Sequence, residues 1–363
     1  MLRLKSKKPI IIAAAIAVEA AVAIDVEVVV VLAAVIVAVT AAEEDSRIKR
    51  SGLCCSFLFF THGEIVNKIK HKELPIFGAG PEWTEGLEEE LADNFIEFNC
   101  FELIPENFVD RPHRKYFLDL LAKAQTPVLI HAVGLSLGTD EPLKRKHLDQ
   151  VLAVGAQVNM VSFSEHLSMT ESGGIEIGQL TPIPWSVKAA DVVIRKIEQI
   201  QKVISVPFAL EHTAHKFFYP TNELSEPEFI NRILDRTGCD LMLDLHNLYC
   251  NSRNANYDPH NWLEEVKINK VTSIHLAGGY VDKYGTLQDA HNEAVPEPVW
   301  ALLDHVLEKI TPQAIIIERT SNYPGLDLMM AEIDRADRAL KKSQERTQTS
   351  QLLAYMQNAG GAL

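Results

Sequence analysis

A TIM (β/α)8 barrel is the fold that this sequence predicts, and three observations predict it. Eight short apolar runs are separated by amphipathic, charged stretches of helical length. The repeat fills residues 74–335, close to the ~250 residues of a typical barrel. No G-x-G-x-x-G follows the first run, so a doubly wound dinucleotide-binding sheet lacks its phosphate loop.

The first run is IFGAG (76–80), and WTEGLEEELADN after it carries apolar residues at three-to-four spacing. FIEFNCFELI (95–104) is followed by RKYFLDLLAKA, and PVLIHAV (127–133) by EPLKRKHLDQVLAVGA. MVSFSEHL (160–167) precedes SVKAADVVIRKIEQIQKVI, and PFALEHTA (207–214) precedes EPEFINRILDRTG, where Gly238 ends the helix. LMLDLHNL (241–248), VTSIHLAGG (271–279) and AIIIERT (314–320) complete the set, with PEPVWALLDHVLEKI between the last two.

The flanks have a different composition. Residues 1–73 form an N-terminal extension that starts basic (MLRLKSKK) and continues as Ala, Val and Ile, interrupted by Glu19, Asp25 and Glu27. A basic start and an apolar run resemble a leader or anchor. An acid at the centre of a spanning helix costs about 2.5 kcal/mol or more, and the uncharged runs fall short of the ~20 residues a span needs. Membrane contact therefore stays open beside an extra helix or hairpin packed on the main domain. Cys54 and Cys55, in SGLCCSFLFF, read as two cysteines of an apolar segment. Residues 336–363 read as a helix that frays into a disordered tail.

The chain has 363 residues, 47% hydrophobic and 23% charged, the balance of a soluble globular protein. A net charge of −14 excludes a general nucleic-acid binder, which needs a basic face. Five cysteines without a CxxC spacing point to reduced thiols in a cytoplasmic setting.

The active site of such a barrel lies at the C-terminal ends of its strands. The second strand brings Glu102, with Glu106 and Asn107 in the loop after it; the third ends in His131 and the fourth in Glu165 and His166. The fifth ends in Glu211 and His212, with His215 further on, and the sixth in Asp244, His246 and Asn247. The seventh carries His275, its loop holds Asp289 and His291, and the eighth ends in Glu318 and Arg319. One strand-end His is commonly a hydrogen-bonded structural residue, and one Asp commonly caps a helix. Six consecutive strands ending this way, with few lysines, outweigh those readings. Imidazole and carboxylate donors without a thiolate suit Fe(II), Mn(II) or Zn, and about nine donors suit two or three ions better than one. In D-A-H (289–291) the small Ala290 lets both neighbours turn toward one ion.

IHAVGLSLG (130–138), SEHLSM (164–169), LMLDLHNLY (241–249), IHLAGG (274–279), DAH (289–291), IIIERT (315–320) and FELIPENF (101–108) stand in one order and spacing. In these motifs the chain resembles the multinuclear non-haem iron-dependent oxidases, the group of the methanobactin-biosynthesis oxidase and the thiaglutamate-pathway cysteine oxidase. The resemblance implies a xylose-isomerase-like barrel with two or three irons, mixed-valent Fe(II)/Fe(III), and O2 as co-substrate. It implies oxidative modification of a ribosomally made precursor peptide at cysteine, often with a partner protein that presents the peptide.

Carried over by motif, the iron ligands are His131, His166, Glu211, Asp244, His246, His275, Asp289, His291 and Glu318, with His131, His166, Glu211, Asp244 and His275 at the reaction centre. Glu102, Asn107, Glu165, His212, His215, Asn247 and Arg319 fall in supporting or substrate-binding positions. The chain departs from the family at His212-Thr213-Ala214, where Asn-x-Ser is common, and at His246, where many members have Asn. Two rival readings share the barrel: a di- or trinuclear isomerase or endonuclease, and a metal-dependent peptide binder without turnover.

Overall fold

The computed structural model describes residues 75–93 and 98–360; the N-terminal extension, with Cys54 and Cys55, lies outside the described residues. In chain order the strands are β1 (Gly78–Pro81), β2 (Phe101–Leu103), β3 (Pro127–Ala132), β4 (Asn159–His166), β5 (Met169–Ser172) and β6 (Ile175–Thr181). They continue with β7 (Phe208–Glu211), β8 (Asp240–Asp244), β9 (Val271–Leu276), β10 (Tyr280–Val281), β11 (Leu287–Gln288) and β12 (Ala314–Ile317). Eight of them form one parallel sheet in the order β1-β12-β9-β8-β7-β4-β3-β2. A single parallel bridge between Glu82 and Glu102 joins its two edges, with the Trp83 N–H donating to Glu102 O at 2.9 Å. Each strand thus neighbours the ones before and after it in the repeat, which makes a barrel. The other four strands make two hairpins, β5 with β6 after the fourth barrel strand and β10 with β11 after the seventh.

The helices are α1 (Glu85–Asp93), α2 (Lys115–Ala124), α3 (Arg145–Gly155), α4 (Val187–Gln201), α5 (Glu226–Thr237), α6 (Leu245–Ala255), α7 (Pro259–Glu265), α8 (Glu297–Lys309) and α9 (Leu326–Gly360). The expected helical stretches hold α1 to α5 and α8. Ser225 and Glu228 form a reciprocal cap at the start of α5, and Gly238 closes it at φ 69°, a conformation that favours glycine. No helix among the described residues is long and apolar enough to cross a membrane.

Side chains alternate across each strand. Val128, Ile130, Leu241, Leu243, Ile274, Leu276, Ile315 and Ile317 are buried with the apolar helix faces in the main core. Cys100, Leu129, Ala314 and Ile316 form a separate small apolar cluster, with Phe77 and Val161 against it. They occupy the opposite faces of their strands, inside the barrel, and make its floor. Continuing the alternation toward the strand ends replaces apolar residues by polar ones: Leu129 gives way to His131, and Ile316 to Glu318.

Two elements differ from the sequence expectation. The sixth run, LMLDLHNL, predicts strand over 241–248. The strand stops at Asp244, whose Oδ1 accepts from the His246 and Asn247 N–H groups at 2.7 and 2.9 Å, and α6 begins at Leu245. A carboxylate that satisfies the first free helix N–H groups ends the extended run there. At the C-terminus, α9 runs through the expected boundary at 335/336 without a break. Met329, Ile333, Ala336 and Leu340 recur at three-to-four spacing and are buried, and Asp337 accepts from the Ala79 N–H at 3.3 Å. The start of the expected tail is therefore part of the barrel's packing.

Candidate metal centre

The alternation that builds the floor also builds the site. His131, His166, Glu211, Asp244 and His275 are 0–9% exposed at the mouth of β3, β4, β7, β8 and β9, and Glu318 follows β12 directly. At one end three donor atoms form a nearly regular triangle. His131 Nε2 lies 3.0 Å from Glu211 Oε2, His166 Nε2 lies 2.9 Å from the same oxygen, and the two nitrogens are 3.1 Å apart. Glu211 Oε1 then meets His275 Nδ1 at 3.2 Å, and His275 Nδ1 meets Glu318 Oε1 at 3.2 Å.

The contacts continue to the other end. Glu318 Oε2 and His291 Nε2 are 3.8 Å apart, His291 Nε2 and Asp289 Oδ1 2.9 Å, and Asp289 Oδ1 and His246 Nδ1 2.7 Å. Gly279 lets the loop after β9 come this close, because a Cβ there would lie 1.9 Å from Gln288 O. These contacts join eight of the nine residues expected as ligands into one array, and the ninth, Asp244, stands beside His275 in the strand register with its Oδ2 buried and unpartnered.

The outer ring nitrogens have their own partners. Glu102 sits 3.1 Å from His275 Nε2, Ser164 Oγ 2.8 Å from His131 Nδ1, and His166 Nδ1 donates to Ala132 O at 3.2 Å. Such contacts fix a ring's tautomer and leave the other nitrogen free to ligate. Glu165 accepts from the Leu135 and His166 N–H groups and so anchors the strand end beneath His166. Asn247 donates to His212 O at 3.2 Å.

Other expected residues stand apart from the array. His215 Nε2 lies 2.6 Å from Glu226, which also accepts from Trp262 Nε1, and the His212 ring stacks against Trp262. Arg319 pairs with Glu332 at 3.1 Å. Asn107 offers its carbonyl to Arg114, while Glu106 accepts from the Val133 and Gly134 N–H groups and contacts His147. Sequence reasoning missed Glu82, 1% exposed and grouped with His291 and Glu318. Its signal was the alternation Gly78, Gly80, Glu82, the same step that leads from Ile316 to Glu318.

Burial would raise the Glu211 carboxyl, but the His166 and His131 charges outweigh it and hold Glu211 well below the usual range. Burial opposes charge on His166 as well, yet Glu211 and Glu165 hold it above its ordinary value. Burial and the Glu318 carboxylate push Asp244 and Glu82 well up.

These donors fit a cluster of cations. Glu211 Oε2, Asp244 Oδ2, His275 Nδ1, His291 Nε2, Glu318 Oε2 and Glu82 Oε2 are buried without a hydrogen-bond partner, although Glu211 Oε2 lies 2.9 Å from His166 Nε2, His275 Nδ1 3.2 Å from Glu211 Oε1 and His291 Nε2 2.9 Å from Asp289 Oδ1. Close approach without hydrogen-bond alignment is what lone pairs aimed at a shared point produce. An ion with bonds of about 2.1 Å holds right-angled ligands about 3.0 Å apart, the edge of the His131–His166–Glu211 triangle. Among the described residues none of Glu82, Glu102, Glu211, Asp244, Asp289 and Glu318 pairs with Lys or Arg. Burying such charges unpaired costs several kcal/mol each, which cations offset.

Known proteins resemble this chain over most of its length. A UPF0276 protein of Caulobacter vibrioides is 32% identical over 263 residues, 72% of this chain and 92% of its own length. A UPF0276 protein of Shewanella loihica is 31% identical over 259 residues, 69% of this chain and 91% of its own. A solved structure described as the IOLI protein with a binding zinc atom aligns at a TM-score of 0.46 and 13% identity, over 74% of this chain and 96% of that one. Residues 78–341, which contain the whole array, match the family described as RiPP precursor modification enzyme MbnB/TglH/ChrH. The chain belongs to the MbnB/TglH/ChrH family of RiPP precursor modification enzymes.

Proposed function

We propose that this barrel holds two or three iron ions and uses O2 to modify a precursor peptide at cysteine, with a partner protein presenting the peptide. The observation that carries the reading is the triangle of His131 Nε2, His166 Nε2 and Glu211 Oε2, with sides of 3.0, 2.9 and 3.1 Å. The ligands are His131, His166, Glu211, Asp244, His246, His275, Asp289, His291 and Glu318. Bound iron supplies the affinity for a substrate thiolate and the electrons for O2 chemistry.

The chain's own residues set the conditions for that chemistry. Ser164, Ala132 and Glu102 hold three imidazoles in one orientation, so the centre needs little rearrangement when it fills. The apolar floor of Cys100, Leu129, Ala314 and Ile316 keeps water from beneath it. Glu211 faces His131 and His166 with one oxygen and His275 with the other, which suits a carboxylate shared between two ions.

The test is metal quantification on protein purified with added iron, followed by exposure to O2 with a cysteine-containing precursor peptide. Iron uptake, a visible absorption band and a mass change in the peptide are expected. Oxygen consumption without iron, or iron uptake with neither O2 consumption nor a mass change, would defeat the reading. Colourless protein that takes up zinc alone would favour the isomerase or endonuclease reading.

A further inference from the structure

The carboxylate of Glu82 is assigned no role by the reading above, yet it lies inside the barrel. Glu82 follows β1 on the inward face, and its backbone is held by the bridge to Glu102 that closes the sheet. It is 1% exposed, and its Oε2 has no hydrogen-bond partner. One oxygen of Glu82, a His291 ring nitrogen and one oxygen of Glu318 lie within 4.8 Å of one another. His291 Nε2 and Glu318 Oε2 are also without hydrogen-bond partners and stand 3.8 Å apart, too far for a hydrogen bond. Two ligands of one ion with bonds of about 2.1 Å lie about 3.0–4.2 Å apart, from right-angled to opposite. The separation therefore fits donors that face each other across a cation.

His246 Nδ1 lies 2.7 Å from Asp289 Oδ1, at the end of the array beyond His291. Glu318 Oε1 is turned toward His275, which leaves Oε2 for the His291 side. An ion next to His291 then has Asp289, His291 and Glu318 Oε2 at hand, and the Glu82 carboxylate lies within reach of the same His291 and Glu318 atoms.

We propose that Glu82 is a ligand from the first strand for the ion shared with His291 and Glu318. The inference rests on the metal-centre reading and adds to it a carboxylate that no motif in the sequence marked. It also explains why a barrel tolerates an acid at the seam where its first and second strands meet.

The test compares wild type with Glu82→Gln and with Glu85→Gln, whose acid is exposed, after anaerobic loading with Fe(II). Bound iron per chain is measured by elemental analysis, and folding by circular dichroism and thermal melting. Glu82→Gln should bind one iron fewer than wild type while melting cooperatively, and Glu85→Gln should match wild type. Equal iron in wild type and Glu82→Gln overturns the inference and leaves the centre itself standing; wild type that takes up no metal overturns both. Should Glu82→Gln fail to fold, anomalous diffraction at the iron edge on wild-type crystals decides. A peak within bonding distance of the Glu82 carboxylate supports the assignment, and its absence from an iron-loaded crystal overturns it.

Discussion

His131, His166 and Glu211 stand on three adjacent strands at one end of the array, with side chains 1–11% exposed. Asp289 and His291, at the other end, stand on a loop, with side chains 20% and 19% exposed. At the strand-built end each imidazole has a fixed partner for its second nitrogen. At the loop-built end His291 sits at φ 50°, a left-handed conformation that costs a non-glycine residue about 1 kcal/mol or more. The difference teaches that the two ends should differ in affinity. Partners fix the rings of the strand end, whereas the loop end holds its donors on a backbone of higher conformational cost.

The largest test falls on the strand-built end. Glu211 contacts three imidazoles with its two oxygens, so Glu211→Gln should lower iron affinity by more than ~100-fold and abolish peptide modification. Undiminished iron in that variant would show that the strand end is not the main anchor. His291→Ala should have a smaller and more local effect, removing iron from the loop end while the remaining ions keep their absorption. Loss of all iron would mean that the two ends assemble only together.

Glu102→Gln leaves all nine proposed ligands in place but weakens the hold on the outer nitrogen of His275. Iron affinity measured by chelator competition should fall by ~10–100-fold. Unchanged affinity would show that the ring needs no such partner. The smallest effect is expected beneath the strand end, where Lys196 Nζ donates to Ser136 O at 2.6 Å, beside the loop that anchors Glu165. Burial pushes the Lys196 ammonium down to about 8, from an ordinary value of 10.5. Between those values the unfolded chain holds more protons than the folded one, so this lysine makes stability rise with pH there. Lys196→Met should flatten that rise in urea unfolding at pH 8 and pH 10. An identical slope in both proteins would remove Lys196 from the account.

Much of the site was legible because strand ends declare themselves. In AIIIERT the alternation Ala314, Ile316, Glu318 already says which side chain enters the barrel, and FALE says the same of Glu211. Glu82 was hidden because the first run was read as ending at Gly80, and the acids after it looked like the solvated start of a helix. The alternation Gly78, Gly80, Glu82 is the one local signal, and two glycines mark a buried face only weakly. Only the closure of β1 against β2 puts one inside and leaves the other exposed. His212 and His215, expected in supporting or substrate-binding positions, stand apart from the array, against Trp262 of α7 and Glu226 of α5.

LMLDLHNL shows the same division of labour. Sequence alone established that an acid and an imidazole interrupt a buried run at the mouth of the sixth strand, since burying them unpaired there would be too costly. It also determined the eight repeats, the helix periodicities and the family, because each depends on residues close together in the chain. The tertiary structure decided that Asp244 both ends the strand and caps α6, that His246 meets Asp289, and that Glu82 belongs with His291 and Glu318. These pairings join residues up to more than two hundred positions apart, as Glu82 and Glu318 are. They follow from how the barrel closes and how its loops fold over the mouth, and no local periodicity encodes that geometry.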